Sequence, residues 1–238
     1  MGVKKRVQKK YFVKKEVVEE IISPATRVLN FFSRNLKQSI AVLGILIIIL
    51  ISFFAWRIYG SSLDNKAQVI FADAFNHYSL AVEKGNQVEY QLTVDRLNDL
   101  ISKYPQTSIS KKAFLYLGNC YFFLKDYNNA LRYYTLFLDK ASKKDILLLK
   151  FVYEGLGYAS EQIGKYDQAV EYFKKSIEEG ANFNDSGLMN LARAYEELKQ
   201  NEKAVEIYQR IIKDYPQSEY RTAANDKIFA LKTNPVKK

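Results

Sequence analysis

The chain has 238 residues, is 48% hydrophobic and 14% aromatic, and holds only 10 glycines and 4 prolines. That composition excludes a disordered polypeptide and, with so few turn formers, weighs against an all-β fold. The formal net charge of +10 would suit a polyanion ligand if it covered a folded surface, but residues 1–37 carry ten Lys/Arg against three Glu, and the chain from Gly60 onward is close to neutral; no nucleic-acid partner is expected.

Residues 1–37 read as a basic segment on the cytoplasmic side of a membrane. Within it Val18, Ile22, Ala25, Leu29, Phe32 and Leu36 recur at alternating steps of four and three, a stripe that predicts an amphipathic helix, with Pro24 placed to interrupt it. Gln38 to Trp56 follow as nineteen residues without a charge. At 1.5 Å per residue they reach about 28 Å, enough to cross a hydrocarbon core. A transmembrane helix is therefore expected over 38–59, with Trp56 and Tyr59 in an interfacial belt. A cleaved signal peptide has a shorter lead and a shorter apolar stretch, so the segment is expected to stay as an anchor. The basic excess before the span predicts that the rest lies outside the cytoplasm.

Residues 60–73 read as a linker or helix start. Beyond them the chain writes KYPQTS at Lys103–Ser108 and DYPQSE at Asp214–Glu219, 111 residues apart, or three times 37. Between the echoes one order of small and large residues recurs: Phe114, Leu117, Gly118, Tyr121, Ala130, Tyr134, Phe137; then Tyr153, Leu156, Gly157, Ala169, Phe173; then Leu188, Leu191, Ala192, Tyr195, Ala204, Tyr208, Ile211. The small residues Gly118, Gly157 and Ala192, with Ala130, Ala169 and Ala204, are expected to let two helices of one unit approach closely. Units then start near Lys111, Lys150 and Asp185. A degraded one starts near Ala74, with Thr93, Leu97 and Leu100 at the matching places. A last helix, with Tyr220, Ala223, Ala224, Ile228 and Leu231 on its buried side, is expected to cap the array; 233–238 read as a disordered tail.

These strings resemble the tetratricopeptide repeat: a bulky residue, Leu-Gly or Leu-Ala, Tyr, then Ala, an aromatic and often Pro. The resemblance implies an all-α fold, one transmembrane helix followed by an α-solenoid of about four helix pairs plus a capping helix over 74–232. In such a superhelix the first helix of each unit lines the concave side. The inward residues of a peptide-binding groove would be Phe75, Tyr78 and Val82, then Lys112, Leu115, Asn119 and Phe122, then Phe151, Glu154, Tyr158 and Glu161, then Met189, Arg193 and Glu196. Tyr78, Val82, Gly155 and Ser186 occupy sites where related cytosolic proteins hold Lys and Asn to clamp acidic chaperone tails. An apolar or mixed peptide therefore suits this groove better.

Neither a CxxC or HExxH motif, a GxSxG elbow nor a phosphate-binding glycine loop occurs. No catalytic residue, metal ligand or cofactor is expected, and the chain reads as a binding protein rather than an enzyme. The lone histidine, His77, falls where other units place packing residues, and Cys120, the one cysteine, reads as a buried thiol that can form no internal disulfide. The order of basic lead, span and repeat array, opening with FADAFNHYSLAVEKGNQVEYQLTVDRLNDLISKYPQTS, resembles bacterial inner-membrane proteins of the YfgM type. That likeness implies a single-pass protein with its N-terminus in the cytoplasm and its repeats in the periplasm, working at the protein-export translocon with periplasmic chaperones. YP-turn repeats also resemble modules of cell-wall or outer-membrane assembly, which is the alternative; a cytosol-facing receptor is a third.

Overall fold

The computed structural model describes residues 24–141, 145–179 and 184–233. The stripe positions Val18 and Ile22 and the tail from residue 234 lie outside them. The described chain is helical: α1 (Pro24–Arg34), α2 (Leu36–Lys84), α3 (Gln87–Lys103), α4 (Ser108–Phe123), α5 (Tyr127–Lys140), α6 (Ile146–Gln162), α7 (Tyr166–Glu179), α8 (Asp185–Glu197), α9 (Asn201–Asp214) and α10 (Arg221–Thr233). Contacts divide it into two compact units, Met1–Tyr59 and Gly60–Lys238.

In the first unit α1 is described from Pro24 onward, so the interruption expected at that proline falls at the edge of the described residues. The apolar part of α2 has a mean hydropathy of 2.7 over eighteen residues and no part of it is buried. It is one helix long and apolar enough to cross a membrane. The stretch 60–73, read as linker or helix start, is helical throughout.

In the second unit, from α3 to α10, each helix packs on the next in chain order. The hairpins close alike. After α4, Lys125 N–H bonds to Phe122 C=O and Asp126 N–H to Tyr121 C=O; Gly164 and Lys165 do the same after α6, and Lys199 and Gln200 after α8. This double bond pattern satisfies the last carbonyls of a helix and needs a left-handed residue. Gly164, with φ 74°, adopts it freely, whereas Lys125 and Lys199 hold φ near 60° against their own side chains.

What fixes the distance within each hairpin is a small residue facing a ring. A Cβ added at Gly118 would come within 3.0 Å of the Tyr134 ring, and one at Gly157 within 3.0 Å of Phe173. Ala130, Ala169, Ala192 and Ala204 are fully buried. In the first hairpin Ala81, Thr93 and Leu97 replace the glycine, alanine and ring, and all are buried. Helix α2 contributes Ala67, Ala74 and Ala81, fully buried at seven-residue spacing along one narrow seam. His77 bonds Glu89 at 2.6 Å and Asp73 pairs with Arg96 at 3.0 Å, tying α2 to α3.

Both echo turns are held by an aspartate: Asp64 accepts from Ser108 N–H at 3.0 Å, and Asp185 accepts from Ser218 Oγ at 2.7 Å. Helix α10 covers α9 with Ala224 fully buried and Tyr220, Ile228 and Leu231 partly so. The expected Ala223 is exposed, because the contact face steps by four, four and three from Tyr220 and bypasses it.

Because Gly157 meets Phe173 so closely, Gly157→Leu overpacks the α6–α7 contact at a cost of about 1–3 kcal/mol or more. In a fragment spanning 60–238 the melting temperature falls by several degrees. An unchanged thermal transition would contradict this contact.

Candidate functional site

Helices α2, α4 and α6 enclose an open cavity of about 520 Å³, and the array's aromatic residues converge on it. Its lining contains eight of the inward residues expected from sequence: Phe75, Tyr78, Leu115, Asn119, Phe122, Phe151, Glu154 and Tyr158. Tyr116, Phe123, Tyr134, Leu148 and Gly155 complete it. Tyr116 sits with its ring edge-on to Phe71, Phe75 and Tyr78 at centroid distances of 5.3, 5.6 and 5.1 Å. Phe123 stacks on Tyr90 at 5.0 Å, and Phe122 leans toward Tyr158 at 6.4 Å. Phe75 and Phe151, 42% and 57% exposed, form the open rim.

A polar relay fixes the floor. Tyr134 OH donates to Asn119 Oδ1 at 2.8 Å, and Asn119 Nδ2 donates to Tyr78 OH at 3.2 Å. One amide thus ties α5, α4 and α2 together. Burial pushes the Tyr78 phenol up to about 12, against the opposing bond from Asn119, and raises Tyr134 as well. Burial also pushes the Cys120 thiol up to about 12. The sulfur lies in the core as an unreactive small apolar group.

The remaining six expected groove residues stand elsewhere. Val82 and Lys112 are exposed and do not line the cavity. Met189 packs against the core of α7–α10. Glu161 and Arg193 form a two-pronged pair, Nη2 to Oε2 at 2.8 Å and Nε to Oε1 at 3.3 Å, with the guanidinium over the Tyr158 ring at 5.6 Å. Glu196 accepts from Tyr208 OH and from Lys227 Nζ at 3.0 Å. These charges join neighbouring units to one another instead of facing a ligand. Glu154, the one charged lining residue among the described residues, is nearly buried and pairs through Oε1 with Lys150 at 3.2 Å. Ser186 Oγ donates to that oxygen at 3.3 Å.

Residues 112–143 and 162–225 each match a family profile described as tetratricopeptide repeat. Those two stretches are tetratricopeptide repeats, and the array as a whole is TPR-like. Such repeats generally mediate protein–protein interaction. Among curated proteins, response regulator aspartate phosphatase E of Bacillus subtilis (strain 168) is 34% identical over 96 residues, 40% of this chain. The chain spans about a quarter of that relative, 26% of its length. Among solved structures, a variant of the Podosopora anserina putative kinesin light chain with nearly identical TPR-like repeats aligns at TM-score 0.57 and 16% identity, covering 69% of this chain and 87% of that one. A tetratricopeptide repeat protein from Parabacteroides merdae aligns at 0.57 and 16% identity, covering 71% and 61%. The MamA protein aligns at 0.53 and 17%, covering 68% and 81%. At these identities the likeness is one of fold.

The raised phenol and thiol groups make the repeats sensitive to alkali. Folded, Tyr78, Tyr134 and Cys120 stay neutral; unfolded, they ionise at their ordinary values, 10.0 for tyrosine and 9.0 for cysteine. Above about pH 9 the unfolded chain therefore binds fewer protons, so stability is complete below that value and falls progressively toward pH 12. Urea unfolding of fragment 60–238 across this window measures the decline; a stability that stays level to pH 11 would contradict it.

Proposed function

We propose that the chain is a membrane-anchored interaction scaffold whose tetratricopeptide groove holds an apolar segment of a partner polypeptide, and that it acts by binding rather than by catalysis. The observation that carries this reading is the contrast on the concave side: an aromatic cavity open to solvent, flanked by charges already paired within the array. A groove of that kind offers area and ring contacts to apolar side chains, and among the described residues its lining offers an acidic peptide no cation. Residues 38–59 act as the anchor, on the strength of their length and apolarity. The basic lead supports the array on the extracytoplasmic face of a bacterial inner membrane, where clients would be unfolded envelope proteins leaving the translocon or the chaperones that receive them.

The test uses a reduced, alkylated protein that cannot fold as the ligand. Phe151→Ser removes a rim ring without touching the core, so fragment 60–238 keeps its melting temperature while affinity drops at least about tenfold, equivalent to about 1.4 kcal/mol. Equal affinity would move binding away from this groove. For placement, a reporter enzyme that is active only after export, fused after Lys238, is active; a silent exported reporter beside an active cytosolic one would reverse the topology.

A further inference from the structure

We propose that α1 is an interfacial helix that lies on an anionic lipid surface next to the span; the proposal rests on reading the apolar part of α2 as that span. Val28, Phe31 and Phe32, the latter two at three and four residues from the first, share one face of α1, and Leu36 follows at the start of α2. Each is exposed, by 53, 62, 44 and 63% respectively. Thr26, Asn30, Ser33 and Arg34 take the opposite face, and between residues 24 and 37 the sequence holds Arg27, Arg34 and Lys37 with no acidic residue. A short helix with rings on one side and cationic groups on the other is the form that settles at the boundary of headgroups and acyl chains.

The junction with α2 supports the same placement. Among the described residues, only Asn35 N–H to Phe31 C=O, at 3.1 Å, and Ser39 N–H to Asn35 C=O, at 2.9 Å, carry the backbone ladder from one helix to the next. The N–H groups of Leu36, Lys37 and Gln38 drop out of it, which lets the axis turn. Side chains bond carbonyls at the break: Ser39 Oγ donates to Asn35 at 3.0 Å and to Phe32 at 3.4 Å, and Asn35 Nδ2 donates to Phe31 at 3.2 Å. These bonds satisfy carbonyls that the break would leave without a backbone partner.

Length and continuity then select lipid over a protein partner. The nineteen uncharged residues already fill a hydrocarbon core of roughly 30 Å, so α1, ending at Arg34 with Lys37 just beyond it, belongs at headgroup level. Its apolar face continues into a helix surface bare on every side, Ile40, Val42, Leu43 and Ile45 among it. The bilayer that covers those residues also covers Phe31 and Phe32.

The full chain tests this in phosphatidylcholine vesicles with and without phosphatidylglycerol. Val28→Cys, Ser33→Cys and, in the span, Ile47→Cys each carry a spin label, while buried Cys120 stays unlabelled in the folded protein. Collision with dissolved oxygen and with a water-soluble nickel chelate reads depth. Position 47 is expected deep. Position 28 should favour oxygen over nickel several-fold more than position 33, and more strongly with phosphatidylglycerol. If 47 is deep but 28 and 33 meet nickel equally, α1 stands in water and the proposal fails while the anchor survives. Shielding of 28 from both reagents means a protein covers the face, which also overturns it. A nickel-accessible 47 overturns the span and this inference together.

Discussion

Everything on the concave side depends on how closely a glycine lets one helix approach an aromatic ring. Tyr134 is the clearest case. Its ring lies between Gly118 of its own hairpin and Gly155 of the next, and a Cβ at either position would come within 3.0 Å of it. With both sides closed, the phenol can point only toward Asn119, and Asn119 in turn holds Tyr78. The missing Cβ atoms on α4 and α6 thus position a hydroxyl on α5, an amide on α4 and a second phenol on α2. The close approach is a packing constraint, and it sets the width of the cavity in the same act.

Several charges beside the groove are matched by a partner within the array. Glu161 with Arg193 and Glu196 with Lys227 bridge successive repeats. Lys150 with Glu154 reaches Ser186 of the next unit. The Lys150–Glu154 pair is nearly buried and so costly to break, whereas Arg193 and Lys227 are 42% and 46% exposed and their pairs add little stability; together they occupy charge near the surface a ligand would meet. What is left in the lining is chiefly ring edges and aliphatic carbon.

The repeat was legible because its determinants are local in sequence: Gly118, Gly157 and Ala192 recur with the rings Tyr134, Phe173 and Tyr208 at a fixed sixteen residues, whatever the length of the linkers. The groove was half legible. A rule of offsets three and four from the packing residues selects one stripe of each first helix, which finds Phe75, Asn119 and Tyr158. It misses Tyr116, Phe123 and Gly155, one step around the helix, and it cannot see Tyr134, which reaches the cavity from a second helix through the gap between two glycines. It also draws Glu161, Arg193 and Glu196 into the groove, because their pairing depends on rotation between units. Their signal was present nonetheless: opposite charges 32 and 31 residues apart, Glu161 to Arg193 and Glu196 to Lys227.

The central claim is that ligand recognition rests on aromatic area with the neighbouring charges already matched. Salt dependence of affinity measures this directly, since free charges lose their attraction as the screening length shrinks from about 10 Å at 0.1 M to about 3 Å at 1 M. Titration of fragment 60–238 with an unfolded, alkylated protein should give an affinity that stays level or tightens slightly across that range. A steep fall with salt would mean that charge, and not the aromatic cavity, holds the ligand.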